Sequence, residues 1–540
     1  MLNSRAQMPS PRNEPVFDYA PGQPQTAALK GALKELLGTQ IEAAPILDGK
    51  ELRTGKTTEI HPPHRTSHRL GVFHEVGAAE VAKAIEGARR AAPGWAAMAA
   101  EDRAAIFLKA ADLLAGKYRY RIAAATMLGQ SKTCHQAEID ASCELVDFLR
   151  YNCAFQEQIY QMQPYSPPGM WNRLDYRALE GFVFAVTPFN FTAIAGNLPT
   201  SAALMGNVVL WKPASTSVYS NYLLMKVFEE AGLPPGVIQF LPGSGGTVGD
   251  PVLKHRDLAG VHFTGSTRVF QQMWGTIGAN IQNYKSYPRI VGETGGKDFI
   301  VAHPSADEDV IIAALVRGAY EYQGQKCSAA SRCYLPKSLW PRLKERLIEE
   351  IKTMKVGDVA DFSCFMGAVI DAKSRDNIRG YLDRAKASSA AKILTGGEFA
   401  DGGYFVSPTL IEVADPKYQT MCEEIFGPVL SVYIYDDAKW EETLHLIDDT
   451  SMYALTGAIL ARDREAIAQA TRVLSQSAGN FYINNKCTGA VVGQQPFGGA
   501  RGSGTNDKAG SLFNLLRWTS TRTVSETLLP PTNYRYPYLG

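Results

Sequence analysis

Four short, mostly apolar runs, G-F-V-F-A-V (181–186), N-V-V-L-W-K (207–212), V-I-Q-F-L (237–241) and G-V-H-F-T (260–264), are separated by segments long enough to be helices. Strands of this kind, without polar alternation, are buried on both faces. Alternating with helices, they imply a parallel sheet with right-handed crossovers. A second run of the same texture follows Glu293: D-F-I-V-A (298–302), a helical stretch over 338–354, V-L-S-V-Y-I-Y (429–435), L-T-G-A-I-L (455–460) and G-N-F-Y-I-N (479–484). The expected class is therefore α/β with two such domains, and 540 residues are more than one core usually supports. No repeat of about 20–50 residues and no low-complexity linker interrupts the chain, which argues against a solenoid or a modular binding protein.

Upstream, Thr26 can cap a helix whose Leu29, Leu33, Leu36 and Leu37 form one stripe before Gly38 ends it. Residues 78–160 read as further amphipathic helices, the last burying Ile139, Cys143, Val146, Leu149 and Cys153. A net charge of +1 gives no footprint for nucleic acid or an anionic membrane, and no run approaches the roughly 18 apolar residues of a membrane span. The eight cysteines contain no C-x-x-C pair, which points to reduced thiols in a reducing compartment. His61, His64 and His68 are spaced like ligands, but the prolines between them argue for a loop without metal. The N-terminal M-L-N-S-R-A-Q-M-P-S-P-R lacks the apolar core of a secretory signal, and it leaves the cytoplasm as the expected compartment with the mitochondrial matrix as the alternative.

Chemistry is concentrated in four motifs. G-Q-K-C-S-A (324–329) carries Cys327, E-T-G-G-K (293–297) opens on Glu293, E-I-F-G-P (424–428) opens on Glu424, and T-P-F-N-F (187–191) sets Asn190 between two phenylalanines. A planar aldehyde cannot release hydride until a nucleophile makes it tetrahedral. A thiol, a carboxylate to activate water and an amide to hold an oxyanion are what oxidation through a thioester requires. Cys327 is the expected nucleophile, Glu293 the base, and Asn190 the oxyanion donor together with the Cys327 N–H. Cys143, Cys153 and Cys333 read as small buried hydrophobes. The bland reading of Glu293 is a turn partner for Lys297.

In this order and at these positions the motifs resemble the aldehyde dehydrogenase superfamily. The resemblance implies a Rossmann-like NAD-binding domain (26–160 and 183–293), an α/β catalytic domain (294–504) and a small β element for oligomerisation (161–182 and 505–530), giving a homodimer or higher homo-oligomer. P-G-S-G-G-T-V-G (242–249) misses the spacing of a dinucleotide fingerprint and reads alone as a loop. F-T-G-S (263–266) ends a strand and opens a helix, so Gly265 and the capping Ser266 suit a pyrophosphate. The family often has glycine where Phe270 stands, which implies a narrower or reshaped pocket there. The resemblance also assigns Thr187, Pro188 and Lys212 to the coenzyme, Lys212 on the adenosine ribose. It places Glu424 on the nicotinamide ribose with Phe426 beside the ring. Ser215 stands where an acid often excludes NADP, so NAD is expected with NADP tolerated.

Longer stretches, among them N-E-P-V-F (13–17), Q-A-E-I-D-A (136–141), E-Y-Q-G-Q-K-C-S-A (321–329) and G-Q-Q-P-F-G-G-A-R-G-S-G-T-N-D-K (493–508), are similar to the glutamate γ-semialdehyde dehydrogenase family. The implied substrate is a small zwitterionic amino acid with a distal aldehyde. Amides of Thr488, Gly489 and Ala490 would hold its α-carboxylate, Phe191 and Phe497 would grip its methylenes, and Ser328 offers a hydroxyl or caps the next turn. The acid beside the aldehyde tunnel is Glu138 or Glu144, with register favouring Glu144. The alternative is another semialdehyde dehydrogenase, such as one for succinate semialdehyde, for which an arginine at the carboxylate end would speak.

Overall fold

The computed structural model describes residues 7–540, so the first half of the N-terminal stretch read for targeting lies outside the described residues. Among the described residues no helix is long and apolar enough to cross a membrane.

Two seven-stranded sheets organise the chain. The first is built on β1 (Phe182–Val186), β2 (Val208–Lys212), β3 (Ile238–Phe240), β4 (Leu258–Thr264) and β5 (Arg289–Glu293), in the order β5-β4-β1-β2-β3, all parallel. Two short strands, Ile46–Leu47 and Lys50–Glu51, extend its β3 edge in antiparallel fashion. The chain winds outward from β1 to β3 and then returns to lay β4 on the other side of β1. Connections therefore leave the carboxyl ends of β1 and β4 in opposite directions, and a crevice opens between them.

The second sheet comprises β6 (Asp298–Ala302), β7 (Ala330–Pro336), β8 (Ala391–Thr395), β9 (Thr409–Val413), β10 (Val429–Tyr435), β11 (Thr456–Leu460) and β12 (Asn480–Ile483). Its order is β8-β9-β10-β7-β6-β11-β12, parallel except for the β8–β9 edge pair. The central strands β1, β2, β6 and β11 are buried along their whole lengths, as continuous apolar runs require. Residues 293–297 run directly from the end of β5 to the start of β6. The carboxyl edge of one sheet thus faces the amino edge of the other across this short crossing.

Separately, the strand Met170–Arg177 pairs along its whole length with Ser520–Thr527 as an antiparallel ribbon. Two local readings need correction. The first helix starts at Pro24, which fits the first helical turn because it has no N–H to leave unbonded, so Thr26 lies inside the helix and its hydroxyl donates to Ala20 O. In 242–249 only the beginning is loop, because Ser244 caps a helix over Gly245–Leu253 by accepting from Thr247 N.

The helical region before β1 also departs from simple periodicity. Between Cys134–Ala137 and Leu145–Gln161 the backbone makes a π-helical segment, Glu138–Glu144. Its wider turn rotates the following residues. Ile139, expected in the buried stripe, faces a cavity instead, while Val146, Leu149 and Cys153 stay in the core.

Candidate active site

The carboxyl ends of β1, β2, β4 and β5 deliver Thr187–Asn190, Lys212, Gly265–Ser266 and Glu293 to the same rim. Cys327 and Glu424 arrive from the opposite side, on the segments that lead into β7 and β10. All four motifs therefore meet where the two sheets face each other.

Cys327 stands on an unusual backbone. Tyr322, Gln323 and Gly324 all have positive φ (51°, 56° and 64°), and a Cβ at Gly324 would lie 2.3 Å from Gly427 O. Gln323 holds this left-handed turn by donating to Ser131 O and Ala368 O and accepting from Gly367 N. Asn190 Nδ2 donates to Gln325 O at 3.0 Å, two residues before the thiol, and ties the loop after β1 to the cysteine segment. The glycines of E-T-G-G-K have a steric reason. A Cβ at Gly295 would come within 2.3 Å of the Glu424 carboxylate, and one at Gly296 within 2.3 Å of Cys327 O.

Acids dominate the electrostatics. Burial pushes the Cys327 thiol well up, and Asp298, Glu293, Glu424 and Glu144 push it the same way. Glu293 is raised well above the ordinary range by burial, although Gly499 N donates to its Oε2 at 2.9 Å. Its bland alternative, a pair with Lys297, does not form. The Lys297 ammonium is buried with no hydrogen-bond partner among the described residues and is pushed down to about 7 by burial. Glu424 accepts from Gly296 N at 2.9 Å and is raised to about 7 by burial.

On the rim expected to meet a coenzyme, Lys212 is buried at the end of β2, donates to Pro213 O at 3.0 Å and is pushed down to about 8 by desolvation, with no carboxylate bonded to it. Thr187 is fixed by Trp211 Nε1 at 2.9 Å, next to Pro188. Gly265 N donates to Glu293 O. Ser266 occupies the N-cap of the helix Thr267–Ala279, but its hydroxyl makes no cap bond, a departure from the expected cap. Phe426, at φ 57°, packs edge-on to Phe189 at 5.9 Å. Phe270 stacks on Phe263 and fills the space above Gly292, where a Cβ would lie 2.3 Å from the ring, so its bulk is absorbed between helix and sheet. Ser215 is exposed.

Beyond Cys327 a cavity of about 390 Å³ is lined by Phe191, Glu144, Ser328, Thr488–Ala490 and Phe497. The volume suits a small ligand. Ser328 Oγ is 2.7 Å from Thr488 Oγ1, so its hydroxyl links the cysteine segment to the 488–490 loop rather than capping its own turn. Gly489 has φ +96°, a conformation glycine adopts without strain. The two acids on the π-helical segment separate. Glu144 lines the cavity and is raised to about 8 by burial, whereas Glu138 points away to Arg119, Tyr19 Oη and Phe17 N. Two larger depressions, about 870 and 940 Å³, border the 170–177 ribbon and contain none of these residues.

Sequence reasoning missed three contributions. Arg317, Lys326 and Lys486 also line the cavity, so the loop amides are not the only groups there able to meet an anion, and the arginine that a succinate semialdehyde pocket calls for is present but bonded to Glu321. Glu321 neutralises part of this charge through Lys326 (3.0 Å) and Arg317 (2.9 Å). Asn13 and Glu14, from the far N-terminus, border the same cavity. Behind Phe191, Lys132 pairs with Asp140 at 2.8 Å, and Asp140 accepts from Thr192 N and Ala193 N at the start of the helix Thr192–Leu204, which positions Asn190 and Phe191. The only signal for that relay is Asp140 within Q-A-E-I-D-A. The histidines part company: His61 Nδ1 meets His68 O, and His64 meets Ser131.

Comparison with known proteins is consistent with this geometry. Residues 51–524 match the family described as the aldehyde dehydrogenase family. The chain is 52% identical to the mitochondrial delta-1-pyrroline-5-carboxylate dehydrogenase of Dictyostelium discoideum, over 99% of this chain and 97% of that one. Among solved structures it is similar to the Delta-pyrroline-5-carboxylate dehydrogenase of Mycobacterium tuberculosis bound with NAD (TM-score 0.96, 51% identity, all of both chains). It is also similar to the 1-pyrroline-5-carboxylate dehydrogenase from Thermus with bound NAD (TM-score 0.90, 32% identity, 97% of this chain and 100% of that one).

Proposed function

The chain belongs to the aldehyde dehydrogenase family, and on that premise we propose that it oxidises L-glutamate γ-semialdehyde, the open form of 1-pyrroline-5-carboxylate, to L-glutamate in proline catabolism, with NAD as coenzyme. One observation carries the substrate assignment. A cavity of about 390 Å³ ends on Cys327 and is walled by Phe191, Phe497 and the 488–490 loop, so one enclosure holds a thiol and a loop whose backbone turns through the glycine at 489, φ +96°.

The residues present fit NAD. Lys212 is a buried ammonium with only a carbonyl partner, and the helix opened by Ser266 has an N-terminus without a side-chain cap. Gly265, Ser266, Thr187, Pro188 and Lys212 would hold the adenosine and pyrophosphate, and Glu424 and Phe426 the nicotinamide riboside. The chemistry NAD supplies when bound is acceptance of hydride.

The Cys327 thiol gives its proton to solvent water, Sγ bonds to the aldehyde carbon, and the C=O π pair moves onto the oxygen, so the carbon becomes tetrahedral. Asn190 Nδ2 and the Cys327 N–H donate to the oxyanion, a contribution of about 3–4 kcal/mol per well-placed donor. After loss of hydride the acyl group remains on Cys327 as a thioester. Glu293 takes a proton from the water that attacks it, and the sulfur leaves. At the other end the α-carboxylate accepts from the amides of Gly489 and Ala490, with Ser328 and Lys486 nearby.

The division of the chain into a coenzyme domain, a catalytic domain and an oligomerisation ribbon belongs to the same reading. The ribbon exposes Trp171, and the two large depressions beside it support a homodimer or higher assembly. Eight free cysteines suit a reducing compartment, cytoplasm or matrix, and the mitochondrial relatives support the matrix.

A trapping experiment tests the mechanism. Glu293→Gln mixed with NAD and pyrroline-5-carboxylate should release a burst of NADH and leave a glutamyl adduct on the Cys327 peptide, detected by mass spectrometry. Cys327→Ala should show neither. An adduct on another residue, or a burst and steady state that fall together, would overturn the assignment of these two roles.

A further inference from the structure

The N-E-P-V-F stretch (13–17) supplies no reacting group, but its Asn13 and Glu14 border the cavity and it makes an unusual set of contacts for a chain terminus. We propose that residues 13–17 form a strap that fixes the 488–494 loop against the helix Leu145–Gln161, with Asn13 as the positioning residue, so that the strap sets the KM for the semialdehyde. This rests on the substrate reading given above.

Asn13 uses its whole amide. Nδ2 donates to Asp147 Oδ2 and to Val492 O, both at 2.8 Å, and Oδ1 accepts from Gln494 Nε2 at 3.0 Å and Tyr151 Oη at 3.3 Å. One side chain therefore joins the helix to the loop that carries Gly489, across 479 residues of sequence. Only a side chain that both donates twice and accepts makes this set of bonds.

The rest of the strap holds Asn13 in place. Glu14 N donates to Asp147 Oδ1 at 2.7 Å, and the Glu14 carboxylate accepts from Arg119 and Arg150, each at 2.6 Å. Arg119 also donates to Pro15 O, stacks on Phe17 at 4.0 Å and pairs with the fully buried Glu138. Glu138 in turn accepts from Phe17 N at 3.0 Å and Tyr19 Oη at 2.6 Å. The acid on the π-helical segment that faces away from the cavity thus anchors the strap, while Glu144 lines the cavity itself.

The loop depends on this support because it has no regular structure of its own. Its internal bonds are few: Gln494 N and Gln495 N donate to Val491 O, and Val491 N donates to Gln495 Oε1. Gly493, at φ +81°, lets the loop pass against Tyr151, where a Cβ would come within 2.2 Å of the ring. Val492 O is the point at which the strap reaches the loop backbone, three residues past Gly489. Loss of that bond frees the segment whose amides meet the substrate carboxylate.

Two variants and two readouts decide it. Asn13→Ala should raise the KM for pyrroline-5-carboxylate roughly tenfold with kcat changed less than about twofold, change the KM for propanal several-fold less, and speed hydrogen exchange at the amides of 491, 494 and 495. The exchange of partners Asn13→Asp with Asp147→Asn rebuilds the strap-to-helix bond but leaves Val492 O without a donor. It should therefore restore the melting temperature while keeping the raised KM. Full recovery of KM in the double variant, or a parallel change for propanal, would make the strap a stability element only and overturn the proposal. If the wild type shows no preference for the semialdehyde, the substrate reading has failed. The strap is then decided by exchange alone, and unchanged protection at those three amides overturns it.

Discussion

At the residue scale, the protonation of Glu293 governs when the proposed base works. Burial holds its carboxyl well above the ordinary range, so at acid pH it keeps its proton and cannot accept one from water. Deacylation, measured by single turnover, should rise with pH through that elevated value, and Glu293→Gln should remove the rising limb. A pH-independent wild-type rate would assign the base elsewhere. The proposed determinant of coenzyme choice is Ser215: with an exposed hydroxyl and no carboxylate there, NADP should support turnover at a raised KM, and Ser215→Glu should suppress NADP more than NAD. Equal losses with both coenzymes would show that the side chain does not face the 2′-position. That Cys327, Glu293, Asn190 and Glu424 would share one rim was legible because each sits in a short motif, and the packing of Gly295 against Glu424 and of Gly296 against Cys327 O gives one of those motifs its steric reason. Lys132, Asp140 and Asn13 were not. Their partners are distant in sequence, and a lone charged or amide residue carries no mark of the tertiary contact that buries it.

At the element scale, continuous apolar runs located β1 to β4, β6 and β10 to β12 to within about two residues, because a strand buried on both faces has no polar alternation to blur its ends. The strands β5, β7, β8 and β9 went unread, β7 because the buried Arg332 breaks its apolar run. The π-helical turn at Glu138–Glu144 left no such trace. A window that assumes 3.6 residues per turn puts Ile139 in the core stripe, and leaves the choice between Glu138 and Glu144 to register alone. The ribbon of Met170–Arg177 and Ser520–Thr527 is an element of another kind, since two strands alone are only marginally stable and this pair exposes Trp171. Trp171→Glu should shift sedimentation from an oligomer towards the monomer and leave the far-ultraviolet circular dichroism unchanged. An unaltered oligomer would show that the ribbon face is not the contact.

For the whole molecule, the arrangement of the two sheets explains why one crevice collects every motif. The order β5-β4-β1-β2-β3 opens a switch point beside β1, and the crossing at 293–297 brings the amino edge of the second sheet against it. The cavity beyond Cys327 is then closed by a loop from near the C-terminus. In the proposed reading its amides distinguish an amino-acid aldehyde from a simple one, and that distinction is the central claim. The measurement that tests it most directly is kcat/KM, followed by NADH absorbance, for pyrroline-5-carboxylate and for propanal in the wild type and in Gly489→Val. A branched side chain at φ +96° strains the loop, and its Cβ would lie 2.9 Å from Lys486 Nζ, on the side where the α-carboxylate is proposed to sit. Loss of two charge-assisted hydrogen bonds, ~1.5–3 kcal/mol each, should lower the semialdehyde value by roughly two to four powers of ten while propanal loses much less. A parallel fall for both substrates would contradict the account, because the loop would then support the fold without reading the carboxylate.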